Sequence, residues 1–339
     1  MKVVFFTEAS HSIGLGHLKR CLALATEFED DNKLSIEIIV PEINVENLTI
    51  LQKSKFSFFR LKDRLENLRE QKASAIFIIV DVKSEYYDLL IEEFHHKNIR
   101  IFGIDDFTKR SLNYTANFGP PTTFIPSNIQ ESKKEGNYTG WNWVPIHREL
   151  WAHTSEIQNK KETNVLLMFG GSDVEELSIP SCKHFAQFTG KEHFTIVCGP
   201  LVPESQFEVC RDTASKSKNM KVLKSPPNLY EVMSINSFSI TSFGHTFYEL
   251  IALKNHPLGI YRDLNEVAGL LSRNSPISDL LISLDEYRNL VSKNLNLAVH
   301  KYWNSKFNQT DELVVFIDYL SEQLRSGCLN IKDVVYNTI

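Results

Sequence analysis

Short, almost uninterrupted apolar runs, each followed by a segment of helix length, restrict this chain to folds built on parallel sheets. Lys2–Phe6, Ser35–Val40, Ala75–Val80 and Ile99–Ile104 are so rich in β-branched and aromatic residues that both faces of each strand must be buried. Between them, His17–Glu29 and Tyr86–Lys97 carry apolar residues at helical spacing. That alternation predicts βαβ units and a doubly wound sheet. The rhythm stops between Gly119 and Lys161. Pro120, Pro121, Pro126, a Ser-Lys-Lys-Glu-Gly run and the tryptophans Trp141, Trp143 and Trp151 there predict a last turn and a linker, with Pro145–Trp151 as a short ordered segment.

It then resumes. Strands are predicted at Asn164–Phe169, His193–Val197, Met220–Leu223, Phe238–Thr241 and Pro257–Ile260. The helices are Val174–Phe188 (broken at Pro180), Pro227–Ser234, Thr246–Leu253 and Val267–Leu271, with a long helical stretch over Ser283–Leu324. The expectation is an α/β protein of two doubly wound, Rossmann-like domains facing a cleft. Residues 1–150 form the first, residues 160–320 the second, and residues 320–339 a tail; a length of 339 residues suits two domains.

Composition narrows the partners. A net charge of −5 argues against a general nucleic-acid binder. No segment approaches the roughly 20 apolar residues that span a bilayer, and the opening run is too short for a signal peptide. Cys21, Cys182, Cys198, Cys210 and Cys328 form no Cys-x-x-Cys pair. Reduced thiols in a cytoplasmic protein are expected, with neither a structural metal nor a cofactor.

The chemistry should lie where strands give way to helices, because backbone amides at a helix start favour an anion. Gly14-Leu15-Gly16-His17 follows the first strand. A nicotinamide-binding turn needs a third glycine, where Lys19 stands, although Glu42 beyond the second strand could serve a ribose. His17, in the first helical turn, is either a neutral imidazole able to accept a proton or a capping, solvent-facing side chain. Arg20 shares its helix face and suits an anion or a surface ion pair. Phe169-Gly170-Gly171-Ser172-Asp173 opens a second such turn, with Asp173 as a helix cap beside glycines that allow close backbone approach. Thr241-Ser242-Phe243-Gly244-His245-Thr246 is a third, with Glu249 one turn inside its helix, placed either for ribose hydroxyls or for solvent. Asn265-Glu266 follows the Pro257–Ile260 strand. Ligands of open α/β sheets bind at the carboxyl ends of strands, so the four turns should face one cleft.

Ile13-Gly14-Leu15-Gly16-His17-Leu18-Lys19-Arg20-Cys21-Leu22-Ala23-Leu24-Ala25 resembles the signature of the UDP-sugar hydrolase of pseudaminic acid biosynthesis, which cleaves UDP from a 2,4-diacetamido-2,4,6-trideoxy-altrose. Spore-coat polysaccharide proteins share the pattern, and the peptidoglycan N-acetylglucosaminyltransferase is a more distant likeness. Val80-Asp81, Ile104-Asp105-Asp106, Trp143–Leu150, Phe169–Asp173 and Thr246–Glu249 extend the resemblance over roughly residues 1–270.

The resemblance implies a glycosyltransferase-B fold and hydrolysis of a UDP-activated aminodeoxy sugar. His17 would be the catalytic base. Gly14, Gly16, Arg20 and Asp81 would lie on the sugar side. Gly170, Gly171, Ser172, Ser242, Gly244, His245, Thr246, Glu249 and Asn265 would hold the nucleotide. No metal is required, and Asp105-Asp106 is expected to shape its own loop. The chain departs from the family at Thr7-Glu8-Ala9, where the family has Arg-x-Asp, at Ser242-Phe243-Gly244, where it has Ala-Gly-Gly, and at Asn265-Glu266, where it has Asn-Gln. A glycosyltransferase of the same fold, or a non-catalytic sugar-nucleotide binder, are the rival readings.

Overall fold

Buried, β-branched strands with no polar face can pair only inside a sheet covered on both sides, and Lys2–Thr7, Ile76–Asp81 and Arg100–Ile104 do so. The structure is a computed structural model. It describes residues 1–41, 54–105, 109–120, 136–159, 161–188, 190–271, 276–292 and 311–338. The chain divides into two units. One comprises Met1–Ser10, His17–Arg148 and Leu324–Ile339, the other His11–Gly16 and Glu149–Gln323.

The first unit holds β1 (Lys2–Thr7), α1 (Gly16–Phe28), β2 (Ser35–Val40), β3 (Ser57–Arg60), α2 (Leu61–Glu70), β4 (Ile76–Asp81), α3 (Asp88–His96), β5 (Arg100–Ile104), β6 (Ala116–Gly119) and β7 (Asn137–Thr139). They form a seven-stranded sheet in the order β3-β2-β1-β4-β5-β6-β7, parallel throughout. Val4, Phe6, Ile78, Val80, Tyr87, Ile91, Phe94 and Ile101 form much of its core. The order reverses between β1 and β4, which run in register from Lys2↔Ile76 to Thr7↔Asp81. Their carboxyl ends are the switch point at which such sheets present a ligand site.

The second unit holds β8 (Lys161–Met168), α4 (Ser178–Phe185), β9 (His193–Cys198), α5 (Glu204–Ala214), β10 (Met220–Lys224), α6 (Leu229–Ser234), β11 (Asn236–Ser242), α7 (His245–Ala252), β12 (His256–Tyr261), α8 (Leu264–Leu271), β13 (Leu281–Ser283), α9 (Leu284–Ser292) and most of α10 (Asp311–Arg325). Its six parallel strands repeat the plan, in the order β10-β9-β8-β11-β12-β13. Val165, Leu167, Phe185, Ile196, Ile240, Ile260 and Tyr287 pack inside it.

The last helix, α11 (Gly327–Asn337), belongs to the first unit. Its Asn330 amide donates to the Asn142 carbonyl at 2.8 Å, Lys332 to the Glu27 carbonyl at 2.6 Å and Tyr336 to Asp31 at 3.1 Å.

The structure departs from the sequence-based expectation in several places. Pro180 does not break a helix begun at Val174. It sits in the first turn of α4, where its missing N–H costs no bond, and a turn occupies the residues before it. Elements β3, α2, β6, β7, α5, β13 and α11 were not expected. Residues 293–310 of the expected C-terminal helical stretch, together with Glu42 and Asp106, lie outside the described residues.

Candidate functional site

The first unit concentrates its polar side chains at the β1/β4 switch point. His17 lies in the first turn of α1, and Asp81 is the last residue of β4. The His17 Nδ1 lies 2.5 Å from Asp81 Oδ1. Because a carboxylate only accepts, the proton between them is assigned to Nδ1, so that in the neutral tautomer the lone pair is on Nε2. Arg20, one turn further along α1, grips the same carboxylate bidentately, Nε to Oδ2 at 2.8 Å and Nη2 to Oδ1 at 2.7 Å. Its Nη1 reaches Asp105 Oδ2 at 3.4 Å. Glu8, just past β1, accepts from the backbone N–H of Lys83 and from that of Ser84 at 2.8 Å, and so fixes the turn after β4.

The Asp81 side chain is fully buried. Burial opposes its ionisation, but the Arg20 charge, the His17 ring and their hydrogen bonds outweigh that and hold its pKa at about 2. Burial likewise disfavours the charged Arg20, yet Asp81 and then Asp105 raise its pKa above the ordinary arginine value. Both groups are therefore charged at neutral pH.

In the second unit, Gly170 has φ +80°, a left-handed conformation natural to glycine, and a Cβ added there would meet no atom within 4 Å. A Cβ at Gly244 would also point into open space. Gly171 is covered by the Leu15 side chain. The Gly14 position lies beside Ser172 Oγ, and that of Gly16 beside the His245 Cβ. Asp173 accepts from the N–H groups of Leu177 and Ser178, both at 2.9 Å, and from the Gln206 amide at 2.6 Å. Those bonds cap the start of α4, and desolvation pushes its pKa up.

Glu249 is buried within α7 and accepts from Tyr230 Oη at 3.3 Å; His245 Nε2 lies 3.9 Å from the same Glu249 oxygen. Thr246 is buried beside them, and Ser242 ends β11. Asn265 and Glu266 open α8, but their side chains lie outside the described residues.

Of the residues singled out in the sequence, His17, Arg20, Asp81 and Asp105 thus form one cluster, and Gly170–Ser172 and Ser242–Glu249 line the carboxyl ends of the central strands β8 and β11. The bonds of Glu8 and Tyr230 were missed. Each joins elements distant in sequence, and only Glu8's place directly after a strand hinted at a role. Among the described residues, no cluster of three or more His, Cys, Asp or Glu side chains is arranged to hold a metal, and no helix is long and apolar enough to cross a membrane.

Two parallel sheets of this topology, with glycine turns at the carboxyl ends of their central strands, define the glycosyltransferase-B fold, and solved structures agree. Phytolacca americana UGT2, complexed with UDP-2-fluoro-glucose and pterostilbene, aligns at a TM-score of 0.63 over 99% of each chain, with 10% identity. MurG of Acinetobacter baumannii gives 0.61 over 99% of this chain and 100% of its own, with 11% identity. UDP-GlcNAc 2-epimerase from Neisseria meningitidis, bound to UDP-GlcNAc, gives 0.53 over 97% and 100%, with 11% identity. Identities this low speak for the fold alone.

By sequence, an uncharacterized protein of Methanocaldococcus jannaschii is 27% identical over 275 residues, which are 75% of this chain and 54% of that protein. The UDP-2,4-diacetamido-2,4,6-trideoxy-beta-L-altropyranose hydrolase of Campylobacter jejuni is 23% identical over 190 residues, 53% of this chain and 64% of the hydrolase. The chain thus spans less than two thirds of the length of either of these curated relatives. No family model matches it.

Proposed function

We propose that the protein hydrolyses a UDP-activated aminodeoxy sugar, releasing UDP and the free sugar, in the cytoplasmic assembly of a nonulosonic acid or surface glycan. The observation that carries this reading is the commitment of His17 Nδ1 to the buried Asp81 carboxylate, which leaves Nε2 as an oriented base. The Campylobacter jejuni relative supports the substrate class.

A water surrenders its proton to His17 Nε2 as its oxygen bonds to the anomeric carbon. The bond from that carbon to the diphosphate oxygen breaks, and UDP leaves as a stable anion. Such a leaving group needs no acid, so one base suffices. Gly14 and Gly16 lie on the sugar side. Backbone amides of Gly170–Ser172 and of the turn from Ser242 through Gly244 to Thr246 receive the phosphates at helix starts. Glu249 accepts the ribose hydroxyls, with His245 beside it, and Asn265 completes the nucleotide contacts.

A glycosyltransferase is the second reading. It is favoured by Phe243, whose ring lies 5.0 Å from Phe247 and 6.0 Å from Tyr248 and gives the nucleotide turn an apolar side chain. A thermal-shift screen of nucleotides, followed by mass spectrometry of UDP-sugar reactions without any acceptor, separates the two. Release of UDP and free sugar supports the hydrolase. Turnover only when a sugar or lipid hydroxyl is supplied supports the transferase, and UDP binding with neither supports a non-catalytic binder.

A further inference from the structure

A carboxylate 2.5 Å from an imidazole orients it but also favours its protonated form, which cannot act as a base. In this site the carboxylate does not act alone. Asp81 Oδ1 is shared between His17 Nδ1 and Arg20 Nη2, and that guanidinium nitrogen also lies 3.1 Å from the His17 ring nitrogen. The bidentate grip through Oδ2 fixes the guanidinium in place. Arg20 therefore stands against the imidazole as a permanent cation, and a cation at that distance disfavours a second positive charge on the ring.

We propose that Arg20 is a positioning and charge-balancing residue: it cancels the field of Asp81 at His17, so that Asp81 orients the imidazole while the ring stays neutral and able to accept a proton. This rests on the proposed role of His17 as the base, but the titration it concerns can be read without turnover. Element β4 contributes Asp81, and α1 contributes Arg20 and Cys21, whose thiol burial keeps protonated. The end of β5 contributes Asp105, whose carboxylate meets Arg20 Nη1 at 3.4 Å. The end of β1 contributes Glu8, already committed to the backbone of Lys83 and Ser84. With His17 neutral, Asp81 and Arg20 sum to zero charge. Lysine in place of Arg20 would keep the charge but lose the fork that aims it.

The test is the protonation midpoint of His17, followed by NMR on protein labelled with 15N-histidine, alongside the acidic limb of the pH–rate profile. Arg20→Gln is expected to raise the midpoint by about one unit or more, and Asp81→Asn to lower it by a similar amount, as charges at this range do. Arg20→Lys should move it less than Arg20→Gln. In the active enzyme the acidic limb of kcat/KM should follow the same shifts, with KM for the UDP-sugar little changed. Should Arg20→Gln fail to fold, Asp81→Asn is compared with the double variant Arg20→Gln/Asp81→Asn, whose midpoint is expected to lie above that of the single variant.

Equal midpoints in that pair, an unmoved midpoint in Arg20→Gln, or a loss of activity carried by KM at an unmoved limb would overturn the proposal. A wild type that turns over no UDP-sugar overturns the hydrolase reading instead, and leaves the titration result to decide this one.

Discussion

Oδ1 of Asp81 and Nδ1 of His17 lie 2.5 Å apart, although 63 residues separate them in the chain. The doubly wound order brings them together. Strand β4 pairs with β1 so that Asp81 stands opposite Thr7, and α1, which starts after the glycine turn, returns over the same edge. Phe6 and Val80, beneath that edge, lie in the core, so the pair sits on a rigid floor. A base placed by the ends of packed elements is held more tightly than one on a free loop.

Replacement of His17 by alanine should therefore remove catalysis and little else. Turnover is expected to fall by at least the ~10²-fold typical of a lost general base, with UDP affinity close to that of the wild type. Steady-state kinetics and calorimetric titration of UDP check both halves. Wild-type-like turnover would remove His17 from the mechanism.

Asp81 also links the site to stability. Its folded pKa, about 2, lies below the ordinary aspartate value, so the unfolded chain binds the proton more tightly. The stabilisation is fully present above the unfolded value of about 4 and drains away as pH falls from there toward 2. Denaturant melts of wild type and Asp81→Asn between pH 7 and pH 3 should thus converge as the pH drops. A stability gap that stays constant across that range would show that Asp81 contributes by packing alone.

The alternation of strands and helices was legible because central strands such as β1 and β4 are buried on both faces and read as unbroken apolar runs; Ser35–Val40, though interrupted by Glu37, has the same bounds in both readings. Elements with weaker patterns were not. Strand β3 is short and lies at the sheet edge, and α2 carries apolar residues only at Leu61, Leu65 and Leu68 among charged neighbours. The glycine turns and His17 stood out by local chemistry. The fate of Arg20 did not, because an ion pair to a residue 61 positions away leaves no local trace. Glu249 also read as a solvated side chain, and only the packing of α7 shows it buried at 1% exposure.

That burial makes Glu249 a selective probe of the nucleotide. Glu249→Ala is expected to weaken UDP binding far more than binding of a ribose-free diphosphate, because it removes the acceptor for the sugar hydroxyls and leaves the backbone amides in place. Calorimetric titration with UDP and with inorganic pyrophosphate measures the two losses. Equal losses would reject the ribose assignment, and an unstable variant with both affinities gone would mark Glu249 as structural.

The glycines around the β8 turn should separate binding from stability. Gly170 has φ +80° with open space above its Cα, so alanine there meets no clash and costs about 1 kcal/mol of backbone strain, a fall in Tm of about 2–4 °C for a unit this size. The new methyl group would stand where a phosphate is proposed to approach the backbone, so UDP affinity should drop well beyond that modest loss. Gly199 is the opposite case. A Cβ there would lie within 2.4 Å of the Gly171 carbonyl oxygen and 2.6 Å of that of Gly170, so the backbone itself must move. Gly199→Ala should lower Tm more than Gly170→Ala does, and disturb UDP binding only by displacing the turn. Melting curves with and without UDP measure both effects. A Gly170→Ala variant that binds UDP like the wild type would place the phosphates elsewhere and remove this turn from the nucleotide site.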